Sequence, residues 1–396
     1  MRFQGPQLAD DCEREKENRF CDGRGSGKLP APVVRLFILK PDGIGDFILV
    51  TGALRLLASE RGEENLLICV RPVIVPLAKA QFPNARVIEL PTAAERKTVN
   101  LFARNLFYCL PLWFKLRMTP VEAAVCFRSM RNYLETFLFY SANTKRFFGC
   151  ENILLRSRGK KVRRYVDTTV RKLFHPSLMP YPEEAHLPLE VEAHRRVVAE
   201  ILERSVGPEE VIPRLRSAAE PTEGGVWICA PITEASKVYP LPRWRDIFTE
   251  LKPELSGKAV LLVGSKDQCG GLGELESLLR SAGIENAKIH LPEDLVELLD
   301  LIAAAELVMT VDTAAAHFAA GLDRPCVILF SGLHQGMFAP WQRSTRQRWL
   351  LPEPPKEKTK SKWHGGIQPA RVAATVRELV QFPSRPPRSA HSSCSG

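Results

Sequence analysis

Short apolar runs rich in β-branched residues alternate with segments of helical period through most of this chain, and few folds accommodate that alternation. VVRLFILK (33–40) precedes a helix-period stretch at 46–60, and LLICV (66–70) precedes a helix opened by Pro72 and a strand near Arg86–Leu90. The pattern restarts after a break near 205–225. GVWICA (225–230) leads to a helix from Pro242, and KAVLLVG (258–264) to helices around 272–282 and 294–304. LVMTV (307–311), a helix from Thr313 to about Gly321, CVILF (326–330) and a last helix near 369–381 complete the series. Apolar strands alternating with helices are the signature of parallel βαβ units, covered on both sheet faces. The reading is an α/β protein of two doubly wound, Rossmann-like domains, residues 33–215 and 224–382, facing each other across a cleft. A chain of 396 residues is long enough for two cores of ordinary size. Residues 1–32 and 383–396 combine charge, glycine and proline without apolar periodicity and read as disordered tails.

Composition narrows the function classes. No uninterrupted apolar stretch reaches the roughly 18–20 residues that a membrane span requires, so a cytoplasmic protein is expected. Ten cysteines lie scattered without Cys-x-x-Cys spacing, and Cys69, Cys229 and Cys326 fall inside strand-like runs as small buried hydrophobes. That pattern fits a reducing compartment and no zinc site. The net charge of +10 calls for an anionic partner. It concentrates at 156–172 (RSRGKKVRRYVDTTVRK), where Lys160, Lys161, Arg163 and Arg164 read either as a solvated loop or as a clamp for a polyanionic acceptor. No RNP-like strand, zinc-finger spacing or helix-turn-helix signal accompanies the charge, so nucleic acid is not the expected partner. NLFYCLPLWFKLRM (105–118) reads either as a packed helix interrupted at Pro111 or as an apolar, basic face resting on an anionic membrane surface.

In open parallel sheets, ligands sit beyond the carboxyl ends of the strands, which directs attention to four loops. PDGIGDFILVTGALRLL (41–57) has the glycine-broken layout of a phosphate cradle, yet Asp46 would repel phosphate and Ile48 replaces the third glycine of a dinucleotide fingerprint. Asp46 reads as a helix N-cap, or, if it faces the cleft with its pKa held low by the helix N-terminus, as a base for an acceptor hydroxyl. In VDTAAAHFAAG (311–321), Asp312 takes the N-cap position. Thr313, Ala314 and Ala315 keep the first turn open for a diphosphate, and His317 leans back toward that seat. APITEASKVYPLPRW (230–244) offers Thr233, Ser236 and Lys237, the lysine suited to a diphosphate that gains charge as it leaves. LLVGSKDQ (261–268) offers Asp267 for ribose hydroxyls. A base on one side of a cleft and leaving-group stabilisation on the other is what group transfer from a nucleotide-activated donor requires.

Three of these pieces together, DGIGDFILVTGALRLL, APITEASKVYPLPRW and VDTAAAHFAAGLDRPCVILF, resemble glycosyltransferase family 9, the bacterial ADP-heptose:lipopolysaccharide heptosyltransferases, over roughly 33–380. The resemblance implies a GT-B fold, a nucleotide-sugar donor such as ADP-heptose, metal-independent chemistry without a cofactor, and inversion at the anomeric carbon. It implies Asp46 as general base with Gly45 beside the acceptor, and Lys237 with Thr233 on the donor phosphates and sugar. Asp312 would hold donor-sugar hydroxyls, the Thr313–Ala315 backbone with His317 the diphosphate, and Asp267, more loosely, the ribose. The acceptor would be an anionic glycan or glycolipid, gripped by Lys160, Lys161, Arg163 and Arg164 at the cytosolic face of the inner membrane. Two departures bear on the donor: Ala314 stands where the family has glycine, and Ser331, Gly332, Leu333 and His334 replace its Gly-Pro-Thr. A catalytically silent nucleotide-sugar binder and a basic nucleic-acid-binding protein are the competing readings.

Overall fold

The computed structural model describes residues 36–90, 99–131, 133–151, 176–220, 222, 225–234, 237–353 and 363–381. The tail expectations, the 156–172 cluster and Ser236 lie outside the described residues. In chain order the first half runs β1 (Leu36–Lys40), α1 (Ile44–Arg61), β2 (Leu66–Val70), α2 (Val75–Gln81), β3 (Arg86–Glu89), α3 (Val99–Met118), β4 (Ala123–Cys126), α4 (Tyr133–Tyr140), β5 (Phe147–Cys150), β6 (Ser177–Met179), α5 (Leu189–Leu202) and α6 (Pro208–Val211). The second runs β7 (Val226–Ala230), α7 (Leu241–Glu250), β8 (Ala259–Val263), α8 (Cys269–Ser281), β9 (Ala287–His290), α9 (Leu295–Ala304), β10 (Leu307–Val311), α10 (Ala314–Gly321), β11 (Cys326–Leu329), β12 (Gln347–Leu350) and α11 (Pro369–Gln381).

Among the described residues the strands form two six-stranded sheets, ordered β3-β2-β1-β4-β5-β6 and β12-β11-β10-β7-β8-β9, with every described ladder parallel. Read from its own first strand, each sheet has the order 3-2-1-4-5-6, so the chain reverses direction between β1 and β4 and again between β7 and β10. Those two switch points open the crevices where doubly wound sheets bind ligands.

Phe37, Ile38 and Leu39 are wholly buried, because helices cover both faces of the sheet and each strand must be apolar on both. The core is continuous between the halves: Phe47, Ile48, Leu49 and Val50 of α1 share a buried cluster with Ala315, Ala316, Phe318, Ala319 and Ala320 of α10. The alanine run of α10 thus has a packing reason, since small side chains let α1 approach closely. A second close approach occurs at Gly52, where a Cβ would collide with the Val211 carbonyl as the chain crosses from one half to the other.

Two boundaries differ from the sequence reading. Pro72 opens a 3₁₀ turn, Pro72–Ile74, and α2 begins at Val75. Pro111 does not interrupt α3, which runs through it. A proline removes one intrahelical hydrogen bond, and packing of Cys109, Leu112 and Leu116 against the sheet holds the helix across the gap.

Candidate active site

The end of β1 carries the first group of functional side chains. Gly43, with extended backbone, is the N-cap of α1, and Asp46 lies three residues into the helix. Its Oδ2 accepts a hydrogen bond from the Gly43 N–H at 3.2 Å. The expectation of an N-cap aspartate is therefore corrected: Asp46 supplies the reciprocal half of the cap from the first turn. The expected low pKa is corrected as well. Burial pushes Asp46 up to about 6; Lys40 opposes the rise, Asp42 and Glu190 reinforce it, and the Gly43 N–H only partly offsets it.

Beneath Asp46 lies a buried ionic layer that sequence reading missed. Lys40 is fully buried, with Nζ 2.8 Å from Asp42 Oδ2 and 3.8 Å from Glu190 Oε1, and donates to the Phe127 carbonyl at 3.3 Å. Burial pulls the Lys40 pKa down, but the surrounding carboxylates of Asp42, Glu190 and Asp46 outweigh it and raise the value. Arg128 holds the other Asp42 oxygen at 2.8 Å and approaches Glu135 at 3.3 Å. Glu190, from α5, accepts from Ser129 Oγ at 2.9 Å and from the Tyr181 hydroxyl at 3.3 Å, and lies 3.7 Å from His194 Nε2. Burial beside Asp42 and Glu190 thus makes a further negative charge at Asp46 form reluctantly, even with Lys40 close by. The contributors come from separate segments brought together only by the sheet.

The opposite wall grows from β7 and β10. Thr313, not Asp312, is the N-cap of α10: its Oγ1 accepts from the Ala315 N–H at 3.2 Å and lies 3.1 Å from Thr310 Oγ1. Asp312 is thereby free of capping, and its Oδ2 lies 2.9 Å from Lys237 Nζ, which is also 3.7 Å from Glu234. The two residues assigned to separate donor contacts are paired with each other.

His317 bridges the walls. A Cβ on Gly45 would fall 2.9 Å from His317 Cδ2, so the imidazole of α10 rests against the first turn of α1. Its other edge is fixed by Trp341, whose Nε1–H donates to Nδ1 at 3.0 Å while the rings stack at 6.0 Å. Indole nitrogen is only a donor, so Nδ1 is the acceptor and the ring proton of neutral His317 belongs on Nε2. Burial pushes its pKa down to about 4, with Lys237 acting in the same direction and Asp312 against.

Both walls line one cavity of about 950 Å³. Gly45 and Asp46 face it from the first half; Thr233, Lys237, Asp312, Thr313, Ala314, Ala315 and His317 face it from the second. Gln268 and Glu293 also line it and were not singled out from the sequence, and His334, named there as a departure from the family pattern, lines it too. Asp267 is exposed on the short 3₁₀ turn before α8 and is not part of the lining, whereas its neighbour Gln268 is. Lys160, Lys161, Arg163 and Arg164 lie outside the described residues. The loop that follows β11 supplies Leu333 and His334 to the wall, with Gly332 and His334 both in the left-handed region at φ of 81° and 60°. Among the described residues no group of three His, Cys, Asp or Glu is placed to hold a metal ion.

Comparison with known proteins agrees with this architecture. Residues 210–365 match the family model described as glycosyltransferase family 9 (heptosyltransferase). The fold is similar to E. coli heptosyltransferase WaaC with ADP, at 16% identity, 87% coverage of this chain and 99% of that one, with a TM-score of 0.61. It is also similar to E. coli ADP-heptose lps heptosyltransferase II, at 18% identity, 88% and 99% coverage and a TM-score of 0.63. A glycosyl transferase family 9 structure from Veillonella parvula DSM 2008 gives 12% identity, 89% and 99% coverage and a TM-score of 0.66. No curated protein matches the chain in sequence. The pair of doubly wound sheets is the GT-B arrangement of these structures.

Proposed function

Because residues 210–365 match the family model of glycosyltransferase family 9 (heptosyltransferase), we infer that the chain moves a heptose from ADP-heptose, with inversion, onto a phosphorylated glycan of the lipopolysaccharide-core type. The observation that carries this reading is the single cavity with a carboxylate of raised pKa on one wall and a lysine, a helix N-terminus and a neutral histidine on the other. Asp46 takes the proton from the acceptor hydroxyl as its oxygen bonds to the anomeric carbon. The carbon–phosphate oxygen bond breaks on the opposite face, and the diphosphate leaves with the electron pair. Lys237 and the α10 N-terminus meet the charge that grows there, and His317 Nε2–H and Thr233 donate hydrogen bonds to it. Asp312 exchanges its ion pair with Lys237 for hydroxyl groups of the donor sugar. In this scheme Lys237 fills the role of charge stabilisation, so no metal ion is required. The two domains, 33–215 and 224–382, would hold acceptor and donor respectively.

E. coli heptosyltransferase WaaC, to which the fold is similar, binds ADP and ADP-2-deoxy-2-fluoro heptose, which supports an adenine nucleotide donor here. The test is ADP release from ADP-heptose in the presence of a phosphorylated core oligosaccharide, together with thermal stabilisation by a panel of nucleotide sugars. Selective stabilisation by ADP-heptose and acceptor-dependent ADP release are expected. Stabilisation by another nucleotide sugar alone would replace the donor, in keeping with the altered loop at 331–334. Absence of stabilisation by any nucleotide would remove the reading.

A peripheral membrane location has its own support. Leu110, Phe114 and Met118 are exposed at helical spacing on α3, with Phe137 of α4 also exposed and Lys115 and Arg117 on the same helix. Among the described residues no helix is long and apolar enough to cross a membrane. Such a face adheres to anionic lipid by apolar insertion and charge together. Binding to phosphatidylglycerol vesicles that weakens with salt is expected; binding absent at low salt would exclude it.

A further inference from the structure

Away from the cavity, the segment that joins the two halves gathers four arginines. Arg214 and Arg216 flank the buried Leu215 on an extended stretch. Arg55 of α1 reaches this stretch through Nε, which donates to the Arg214 carbonyl at 3.1 Å. Its Nη2 donates to Gln81 Oε1 at 2.7 Å, and Gln81 in turn accepts from the Arg216 N–H at 2.9 Å and donates to the Arg216 carbonyl at 2.7 Å. Arg343 arrives from the other half, donating through Nη1 to the Gly321 carbonyl at 2.9 Å, the same carbonyl that accepts from the Leu215 N–H at 2.9 Å. All four residues are therefore anchored to the backbone of three consecutive linker residues or to the carbonyl that holds the middle one.

The described hydrogen-bond acceptors of Arg55, Arg214 and Arg343 are neutral oxygens: backbone carbonyls and the Gln81 amide. The acids whose fields reach the group are Glu63 toward Arg55 and Asp323 toward Arg343. Asp323 is already bound by Ser344 and Gln347, and Glu63 by the Asn84 N–H. The mutual repulsion is felt: burial and the charges of Arg216, Arg214 and Arg343 bring Arg55 down to about 10. Arg214, Arg216 and Arg343 are exposed, so a ligand has access to them.

We propose that Arg55, Arg214, Arg216 and Arg343 form a binding site for a multiply charged phosphate ligand, separate from the transfer cavity and spanning α1, the linker and the loop before β12. Guanidinium forks that share a small region without carboxylate partners among the described residues match phosphate oxygens in charge and in donor geometry. The shared chemistry is a phosphate dianion or diphosphate, supplied either as a free anion or as a phosphoryl group on a sugar.

The experiment titrates inorganic pyrophosphate and glucose 6-phosphate into the full chain at constant ionic strength, with binding read by calorimetry. The wild type is compared with Arg214→Gln/Arg216→Gln and with Lys237→Ala, which disables the proposed donor site. Binding is expected in the wild type and in Lys237→Ala alike, and about tenfold or more weaker in the double variant, as two charge-assisted hydrogen-bond donors are lost. Tighter binding of pyrophosphate assigns a free anion as ligand, and tighter binding of glucose 6-phosphate a phosphorylated glycan. Without anion the double variant should melt no lower than the wild type, because like charges have been removed; if it does not fold, Arg343→Gln serves in its place. Binding lost in Lys237→Ala but kept in the arginine variant, or no binding in any form, overturns the site. The first outcome would place the anion in the cavity instead, and the second bears on the arginine site alone; the cavity is tested separately by stabilisation with nucleotide sugars.

Discussion

Lys40 lies 2.8 Å from Asp42, and Lys237 lies 2.9 Å from Asp312, on opposite sides of the same cavity. The first lysine has no exposed side-chain surface, while the second keeps 21%. Lys40 is held from three sides, by Asp42, Glu190 and the Phe127 carbonyl, and its charge serves to moderate the carboxylates packed around it. Among the described residues Lys237 pairs with Asp312, which lines the cavity, and with Glu234, which faces solvent, and a stronger anion could displace both. In the proposed transfer, one wall is built before any substrate arrives and the other would exchange partners when it does. Preorganisation belongs where a pKa has to be set, and exchangeable pairing where a charged group has to be bound and released.

Substitutions on the two sides should separate these roles. The largest effect is expected from Asp46→Asn, which should lower turnover about 10²–10⁴-fold with donor affinity retained, and should abolish an activity limb that rises with pH through about 6. Steady-state pH profiles check both; an unchanged limb would remove Asp46 as the base. Next is Lys40→Met, which leaves Glu190 buried without its lysine and Asp42 with Arg128 alone, and should cost about 3–5 kcal/mol in denaturant unfolding. Gly45→Ala should cost about 1–3 kcal/mol, because the new methyl group meets the His317 ring and must displace it. Lys237→Met, breaking a pair that solvent reaches, should cost less than about 1 kcal/mol while depressing turnover, the converse of a structural lysine. Equal stability losses at Lys40 and Lys237 would erase the distinction between the walls.

Stability against pH sharpens the same contrast. Asp46 has its folded pKa raised, so the native state holds its proton more firmly, and that contribution is present at low pH and lost as pH rises through about 6. His317 has its folded pKa depressed to about 4, so the native state resists protonation, and stability is lost as pH falls from about 6.5 toward 4. The two slopes oppose each other across pH 4–6. Asp46→Asn removes only the first, so the variant's urea midpoint should climb more steeply with pH than that of the wild type.

The fold was legible because parallel strands covered on both faces must be apolar along nearly all their length: β2, β7, β8 and β11 are apolar throughout, and β1 and β10 are broken only by Lys40 and Thr310. The loops bearing Asp46, Thr233, Lys237 and Asp312 were found for the same reason, since they follow the strands on either side of the switch points. Cap positions were less secure: Asp46 and Asp312 look like caps by residue type, but Gly43 and Thr313 hold those places, and an aspartate beside a hydroxyl offers no local cue as to which will cap. The direction of the Asp46 shift was out of reach. A helix N-terminus can be read locally, whereas the burial and the carboxylates of Asp42 and Glu190 that outweigh it depend on how β1 and α5 meet. Trp341 was missed because it lies in an irregular loop, where neither period nor spacing points to His317.

The contact of His317 with Gly45 joins the evolutionary freedom of two distant positions. A side chain at 45 requires a smaller or retracted ring at 317, and a retracted ring gives up the indole bond of Trp341 as well. Among relatives built on the same plan, these three positions should covary as a set, and the mouth of the cavity should widen or narrow by coordinated substitution across both halves of the chain.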